Sequence, residues 1–560
     1  MILKTKLVSS MEKVFCDTTV NDYQPLKKLT ALKGESIAFQ VILELEDEKS
    51  DAETPHNNRY SCNYEISGAL KEFATIRSVK QTPVELPINP LVADDKYLRY
   101  TPGLYPDPLV PLFNEDTVTA KRFCLSTVWV EIDIPRDYSL DLNTSLTVSF
   151  SADWIKSPAT ETLEIEVLNA QLPEQTLINT EWFYCDCIAD YYDIPVWSEK
   201  HWEYVENFAR IAHRNGMNMI LTPILTPPLD TYIGGERTTV QLVDITVTDG
   251  KYFFDFSKVD RWVDMCNRLG YKYLEINHLY TQWGAKNAPK VMATVDGEYR
   301  RIFGWETDAA GVEYRTFLRQ LLTELIAHLK KTGDDKRCYF HISDEPNPSF
   351  LERYKECKEQ VLDILADYPI IDALSNYEFY KQGVVKNPIP CNDHIEPFIE
   401  GGVENLWTYY CCGQVKNVSN RFLAMPGART RSMGFQMYRY NVVGFLQWGY
   451  NFYSTVGSHD HIDPFLEVSA DYCFGAGDAY SVLPGRKGQP IETIRIRNFF
   501  HGIQDYEAMK LCESLCGKEA TVQAIEKALG GEIRFDRCAH DSKTMLAIRE
   551  NVNALIKSKI

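Results

Sequence analysis

Apolar residues recur at every second position through most of the first 170 residues, and this period constrains the fold more than any other feature. In SIAFQVILELE, Ile37, Phe39, Val41, Leu43 and Leu45 fall on one face; VWVEIDIP repeats the pattern with Val128, Val130, Ile132 and Ile134, and TLEIEV with Leu163, Ile165 and Val167. Successive side chains of a strand point to opposite faces, so each segment offers one apolar face to a core. With polar turns between such segments and no helical stretch, residues 1–172 are expected to form a β-sandwich. The segment NAQLPEQTLINT (169–180) loses the alternation and reads as a linker.

From residue 181 the pattern becomes strand then helix, repeated. EWFYCDC reads as a strand; EKHWEYVENFARIAHRNG follows as a helix with Trp202, Val205, Ala209 and Ala212 on one face and Gly216 as its stop. MNMILTP, a long excursion (224–256), a helix near 257–269, KYLEIN, the helix VEYRTFLRQLLTELIAHLKKTG and CYFHIS continue the series. Ser349 and Glu352 have the spacing of a capping box for the next helix. IDALSN, a weak PCNDHI, NLWTYYC and VVGFLQWGYN complete eight strand candidates, and further helices are expected after residue 465. Eight strands alternating with helices predict a (β/α)8 barrel over 181–560 with a C-terminal helical extension. An open doubly wound sheet is the alternative; the glycine-rich phosphate loop it often carries after its first strand is absent.

Bulk properties narrow the partners. The chain has 560 residues and a formal net charge of −19 with no long basic run, which disfavours nucleic acid and leaves neutral ligands such as sugars open. No run of about 20 apolar residues predicts membrane insertion. The N-terminal MILKTKLVSSMEKVFCDTT lacks the apolar stretch of an export signal, so the 15 scattered cysteines are expected to be reduced thiols in a cytoplasm. CDC and YYCC lack zinc-ribbon spacing, and GSHDHID (457–463) keeps its histidines and acids in one loop, so it reads as a solvated polar loop rather than a metal site. Neither a metal nor a cofactor is expected.

The HISDEP segment (341–346) places two carboxylates, Asp344 and Glu345, at the end of the fourth strand, where barrel enzymes keep their chemistry. Strict alternation puts His341, Ser343 and Glu345 on one face and Asp344 on the other, so the chain must bend before Pro346 for the two acids to converge. Paired acids suit glycoside hydrolysis. The seventh strand, ENLWTYYCC, carries its one acid, Glu404, at the wrong end and offers Tyr409 and Tyr410 at the far end. Without a carboxylate nucleophile there, a substrate 2-acetamido group can serve instead. Asp344 would orient it, and Glu345 would act as general acid and then base, its protonated form favoured by the neighbouring charge. A carboxylate-nucleophile glycosidase using Asp393, Glu396 or Glu400, and a non-catalytic glycan-binding protein, remain as alternatives.

HISDEP, GFLQWGYNFY (444–453) and IETIRIRNFFHGIQDYEAMK (491–510), in that order, resemble glycoside hydrolase family 123, the β-N-acetylgalactosaminidases of clostridial intracellular type. The resemblance implies retaining, exo-acting, substrate-assisted release of terminal β-linked GalNAc from glycosphingolipid-type glycans, with the family's Asp-Glu pair at Asp344 and Glu345. The preference for GalNAc over GlcNAc comes from this resemblance alone. Trp407, Tyr409, Trp448 and Tyr450 are candidates for the wall around the acetamido methyl. Asn277, His278, Trp283, Asn376 and Tyr377 are candidates for contacts to hydroxyls or a sugar ring. Arg497 and Asp505 are read as structural ion-pair residues.

Overall fold

The computed structural model describes residues 1–46, 58–112, 116–346 and 348–560. Its N-terminal region holds two five-stranded sheets. One runs Ile2–Ser9, Ser36–Glu46, Ser126–Asp133, Ala74–Val84, Gly103–Pro111; the other runs Lys28–Lys33, Ala159–Gln171, Asn143–Ser151, Arg59–Ser67, Thr117–Lys121. Pairing is antiparallel except between Lys28–Lys33 and Ala159–Gln171. Phe39, Val41, Val128 and Val130 of the first sheet share a core with Val148, Leu163, Ile165 and Val167 of the second, as the alternation predicts.

The outer face of the first sheet departs from the one-sided pattern. Gln40, Trp129 and Glu131 are fully buried there: Gln40 donates to the carbonyls of Ser9, Ser10 and Glu12, and Trp129 packs with Ile494 and His501 of the C-terminal half. Glu131 receives Arg497 Nε at 3.0 Å and Arg77 Nη2 at 2.8 Å, and also pairs with Arg214. Burial would raise this carboxyl, but Arg497, Arg77 and Arg214 outweigh it and hold it at about 2. Asp505 has other partners, Arg431 at 2.6 Å and Arg549 at 2.9 Å. Arg497 and Asp505 are thus structural, though each pairs separately. Removing one partner of a buried ion pair leaves an uncompensated charge. Arg497→Met is therefore expected to lose about 3 kcal/mol of stability, read as a lower urea midpoint at unchanged m.

Beyond residue 177, eight of the short strands among the described residues follow one another in chain order as a parallel set: Ile178–Glu181, Met219–Thr222, Tyr273–Ile276, Cys338–Phe340, Ile371–Ala373, Asn387–Ile389, Trp407–Tyr409 and Gly444–Gln447. Their regular ladders are all parallel and join them in groups: first, eighth and seventh; second to fourth; fifth and sixth. The helices Glu199–Arg214, Ser257–Leu269 and Val312–Leu329 lie where the 3.6-residue period places them. Gly216 and Gly270 end the first two at φ 84° and 90°, a region glycine enters freely. Helices Ile494–Cys516, Lys518–Leu529 and Ser542–Lys557 close the chain.

Four local expectations change. The first strand, Ile178–Glu181, ends on the first residue of EWFYCDC, and Cys185–Tyr192 is a helix. Part of 169–180 is strand, at both ends. The sixth strand is Asn387–Ile389 rather than PCNDHI. Ser349 lies inside the turn Pro348–Phe350, and Phe350 is the N-cap of Leu351–Glu359. The excursion after residue 224 contributes two strands, Asp244–Thr248 and Lys251–Asp255, to a four-stranded sheet completed by Val291–Val295 and Glu298–Phe303. No helix among the described residues is long and apolar enough to cross a membrane.

Candidate active site

The site begins where the fourth strand stops. Past Phe340 the backbone leaves the regular ladder and changes partners: Ile342 N–H donates to the Asp372 side chain at 3.0 Å, and Leu279 and Tyr280 N–H donate to the carbonyls of His341 and Ile342. Trp283 N–H then holds the Asp344 carbonyl at 2.9 Å, and Glu345 N–H reaches the Ala373 carbonyl at 3.2 Å. Glu345 itself has φ 42°. A non-glycine residue in the left-handed region costs about 1–2 kcal/mol, and here it makes the bend that the alternation demanded. Both carboxylates line one cavity of about 560 Å³.

Their environments differ sharply. Asp344 is buried, 8% exposed, and its Oδ1 has no hydrogen-bond partner. Burial pushes its carboxyl well above the usual range, with the Glu345 charge adding to the shift and His341 opposing it. Glu345 is exposed to the cavity, and Tyr409 Oη donates to its Oε1 at 2.8 Å.

Of the other sequence candidates, Tyr409, Trp448 and Trp283 join the two acids around the cavity. Trp448 is fixed by Nε1–H donation to Asp478 at 2.8 Å. The rest do not line it. Trp407 is buried under Gly444, in whose place a Cβ would meet its ring. Tyr450 stacks on Phe183 and donates to the Phe208 carbonyl. Asn277 accepts from Leu225 N–H. His278 lies buried against His341 with ring centroids 4.2 Å apart. Asn376 caps the helix Tyr377–Lys381, and Tyr377 packs on Phe398. Each sits near a strand end, but its side chain turns into a core or a cap. Asp393, Glu396 and Glu400 also lie outside the cavity, Asp393 bonding His394 and Gln414.

The cavity also holds residues the sequence reading passed over. Trp182 follows the first strand, and its Nε1–H donates to buried Glu275 at 2.9 Å. Asp230 follows the second strand, and burial lifts its carboxyl to about 6. His459, from the GSHDHID loop, stacks on Tyr232 at 4.0 Å on the cavity wall, so this loop is not wholly solvated. An acid soon after the second strand, in TPPLD, was the available signal for Asp230.

The catalytic domain of glycoside hydrolase family 123 matches residues 182–512, more than half of the sequence. The chain belongs to this family. No curated protein matches it. A family 123 glycoside hydrolase from Clostridium perfringens, whose structure addressed glycolipid glycan hydrolysis, superposes with a TM-score of 0.73 at 15% identity, covering 100% of this chain and 99% of that one. It shares the fold along the whole length. β-Glucuronidases of Parabacteroides merdae and Bacteroides uniformis reach TM-scores of only 0.30 and 0.28 at 9% identity, each over 90% of this chain and 52% of theirs.

In this glycosidase Tyr409 bears directly on Glu345. Burial raises the phenol well above its usual range, so it stays a donor. A hydrogen bond to a charged group is worth about 1.5–3 kcal/mol. Tyr409→Phe is expected to lower kcat/KM by about tenfold or more with little change in melting temperature, measured on an aryl glycoside.

Proposed function

We propose that this glycosidase releases terminal β-linked N-acetylgalactosamine from glycosphingolipid-type glycans, acting from the chain end with retention through an oxazolinium intermediate. The observation that carries the reading is the convergence of Asp344, buried with its Oδ1 unpartnered, with Glu345, exposed and oriented by Tyr409, on one cavity. In the first step the acetamido oxygen attacks the anomeric carbon, the glycosidic C–O bond breaks, and the Glu345 proton goes to the leaving oxygen. Asp344 accepts the acetamido N–H and balances the charge that develops on the ring. In the second step Glu345 takes a proton from water, whose oxygen attacks the anomeric carbon and reopens the ring. Trp182, Trp448 and Trp283 supply the apolar surface for the sugar and its acetamido methyl.

The glycolipid work on the Clostridium perfringens relative supports the substrate class. The eight parallel strands are read as a (β/α)8 barrel over 181–560, supported by the parallel bridges Phe340–Ile370 and Cys391–Tyr409 and by donation from Asn218 N–H to the Asn179 carbonyl between the separate ladders. The paired sheets of 1–172 are read as a β-sandwich domain bracing it. Fifteen free cysteines support a cytoplasmic setting.

A third acid in the cavity, Asp230, supports a second reading, in which a carboxylate acts as nucleophile. Comparing aryl β-GalNAc, β-GlcNAc and β-galactoside substrates separates the two. Substrate assistance predicts turnover of the acetamido sugars, GalNAc fastest, at least about 100-fold faster than the galactoside, with inhibition by a GalNAc-thiazoline. Equal turnover of the galactoside would sink it.

A further inference from the structure

We propose that His341 is a positioning residue of this site, a fixed cation that favours the carboxylate form of Asp344 against the sugar's acetamido group. The proposal rests on the substrate-assisted reading.

The geometry starts from three adjacent strands. His341, just past the fourth, lies between Glu275 of the third and Asp372 of the fifth: its Nε2 is 2.8 Å from Glu275 Oε1 and its Nδ1 is 3.3 Å from Asp372 Oδ1. All three side chains are fully buried. A neutral imidazole has one N–H, so one of these contacts would set a nitrogen lone pair against a carboxylate oxygen. Two carboxylate neighbours are satisfied together by a doubly protonated ring. Burial opposes that charge, but the bonds to Asp372 and Glu275 prevail and lift the imidazole to about 9.

The surrounding groups fix the ring and leave little room for another arrangement. Glu275 also accepts Trp182 Nε1–H and the Thr180 hydroxyl; Asp372 also accepts Ile342 N–H and the Tyr354 hydroxyl. His278 stacks on His341, and burial and then the adjacent cation push it well below its ordinary value, so it adds no competing charge. Among the charges that act most on Asp344, Glu345, Asp372 and Asp230 are negative and His341 is positive. The proposed chemistry needs Asp344 ionised when the oxazolinium forms. His341, three residues upstream and held from both sides, is the positive charge that opposes the burial and the like charges. Through Glu275 the same imidazolium is tied to the Trp182 indole, which lines the cavity.

The test is kcat/KM against pH on aryl β-GalNAc for wild type, His341→Gln and His341→Lys. The Gln variant is expected to move the acid limb upward by about one pH unit, a tenfold loss below the limb, with KM changed little. The Lys variant, which keeps a cation, is expected to return the limb toward the wild-type position. A uniform loss at every pH, with the limb unmoved, overturns the proposal and marks His341 as structural. If that occurs while Asp344→Asn remains crippled, only this inference fails; if Asp344→Asn stays active, the substrate-assisted reading fails with it. Should the Gln variant not fold, neutron diffraction of the wild-type enzyme at pH 7 decides. Deuterium on both His341 ring nitrogens supports the proposal, and deuterium on one overturns it.

Discussion

Replacing Glu345 with glutamine is expected to lower kcat/KM on an aryl β-N-acetylgalactosaminide by about 1,000-fold, within the range of general acid–base catalysis, while sugar binding changes little. The amide has nearly the volume of the acid and still offers an oxygen to the Tyr409 hydroxyl, now 2.8 Å from Glu345 Oε1. What it lacks is a proton to give to the leaving oxygen and a base to receive one from water. The loss should depend on the leaving group. A dinitrophenyl glycoside needs little protonation, so its first step should suffer less than that of a sugar-linked substrate. Kinetics over a leaving-group series, with binding of a product analogue followed by calorimetry, measure both effects. If Glu345→Gln retained wild-type rates on a natural-type glycan, the assignment would fall.

Asp344→Asn is expected to cost a comparable factor, on the order of 1,000-fold in kcat, for a different reason. The amide cannot balance the positive charge of the oxazolinium, so the loss should persist even with the best leaving group. The affinity for a GalNAc-thiazoline should fall as well. Stability should move the other way. Burial raises the Asp344 carboxyl well above its ordinary value, so folding resists ionising a group that ionises freely in the unfolded chain. That penalty is absent at low pH, where both states are protonated, and sets in as pH rises through the ordinary carboxylate range. The asparagine variant escapes it and should melt higher than wild type at neutral pH, in a thermal scan. Lower activity with higher melting temperature marks a strained functional group; a fall in both would mark Asp344 as structural.

Parts of this site were legible beforehand because they depend on local order in the chain. HISDEP announced itself by setting two acids at a strand end, and the requirement for a bend before Pro346 followed from the period of two. Glu345 supplies that bend at φ 42°. Tyr409 and Trp448 followed from their places at the ends of the seventh and eighth strands. The same rule failed for Asn277, Asn376 and Tyr377, because ending a strand does not decide which way a side chain turns. Asn376 turns back to cap its own helix, a local competition that polar residues at strand ends often win.

The sequence alone determined the change of architecture near residue 180, the helices with their glycine stops, and the pair of acids, since each is written in the spacing of neighbouring residues. Only the tertiary structure decided that Asp344 would be buried and Glu345 exposed, that Asp230 and Trp182 would join them, and that Glu275, His341 and Asp372 would meet. Those facts depend on residues tens to more than a hundred positions apart. Their energies come from desolvation and from charges brought together by packing, and no local period records them.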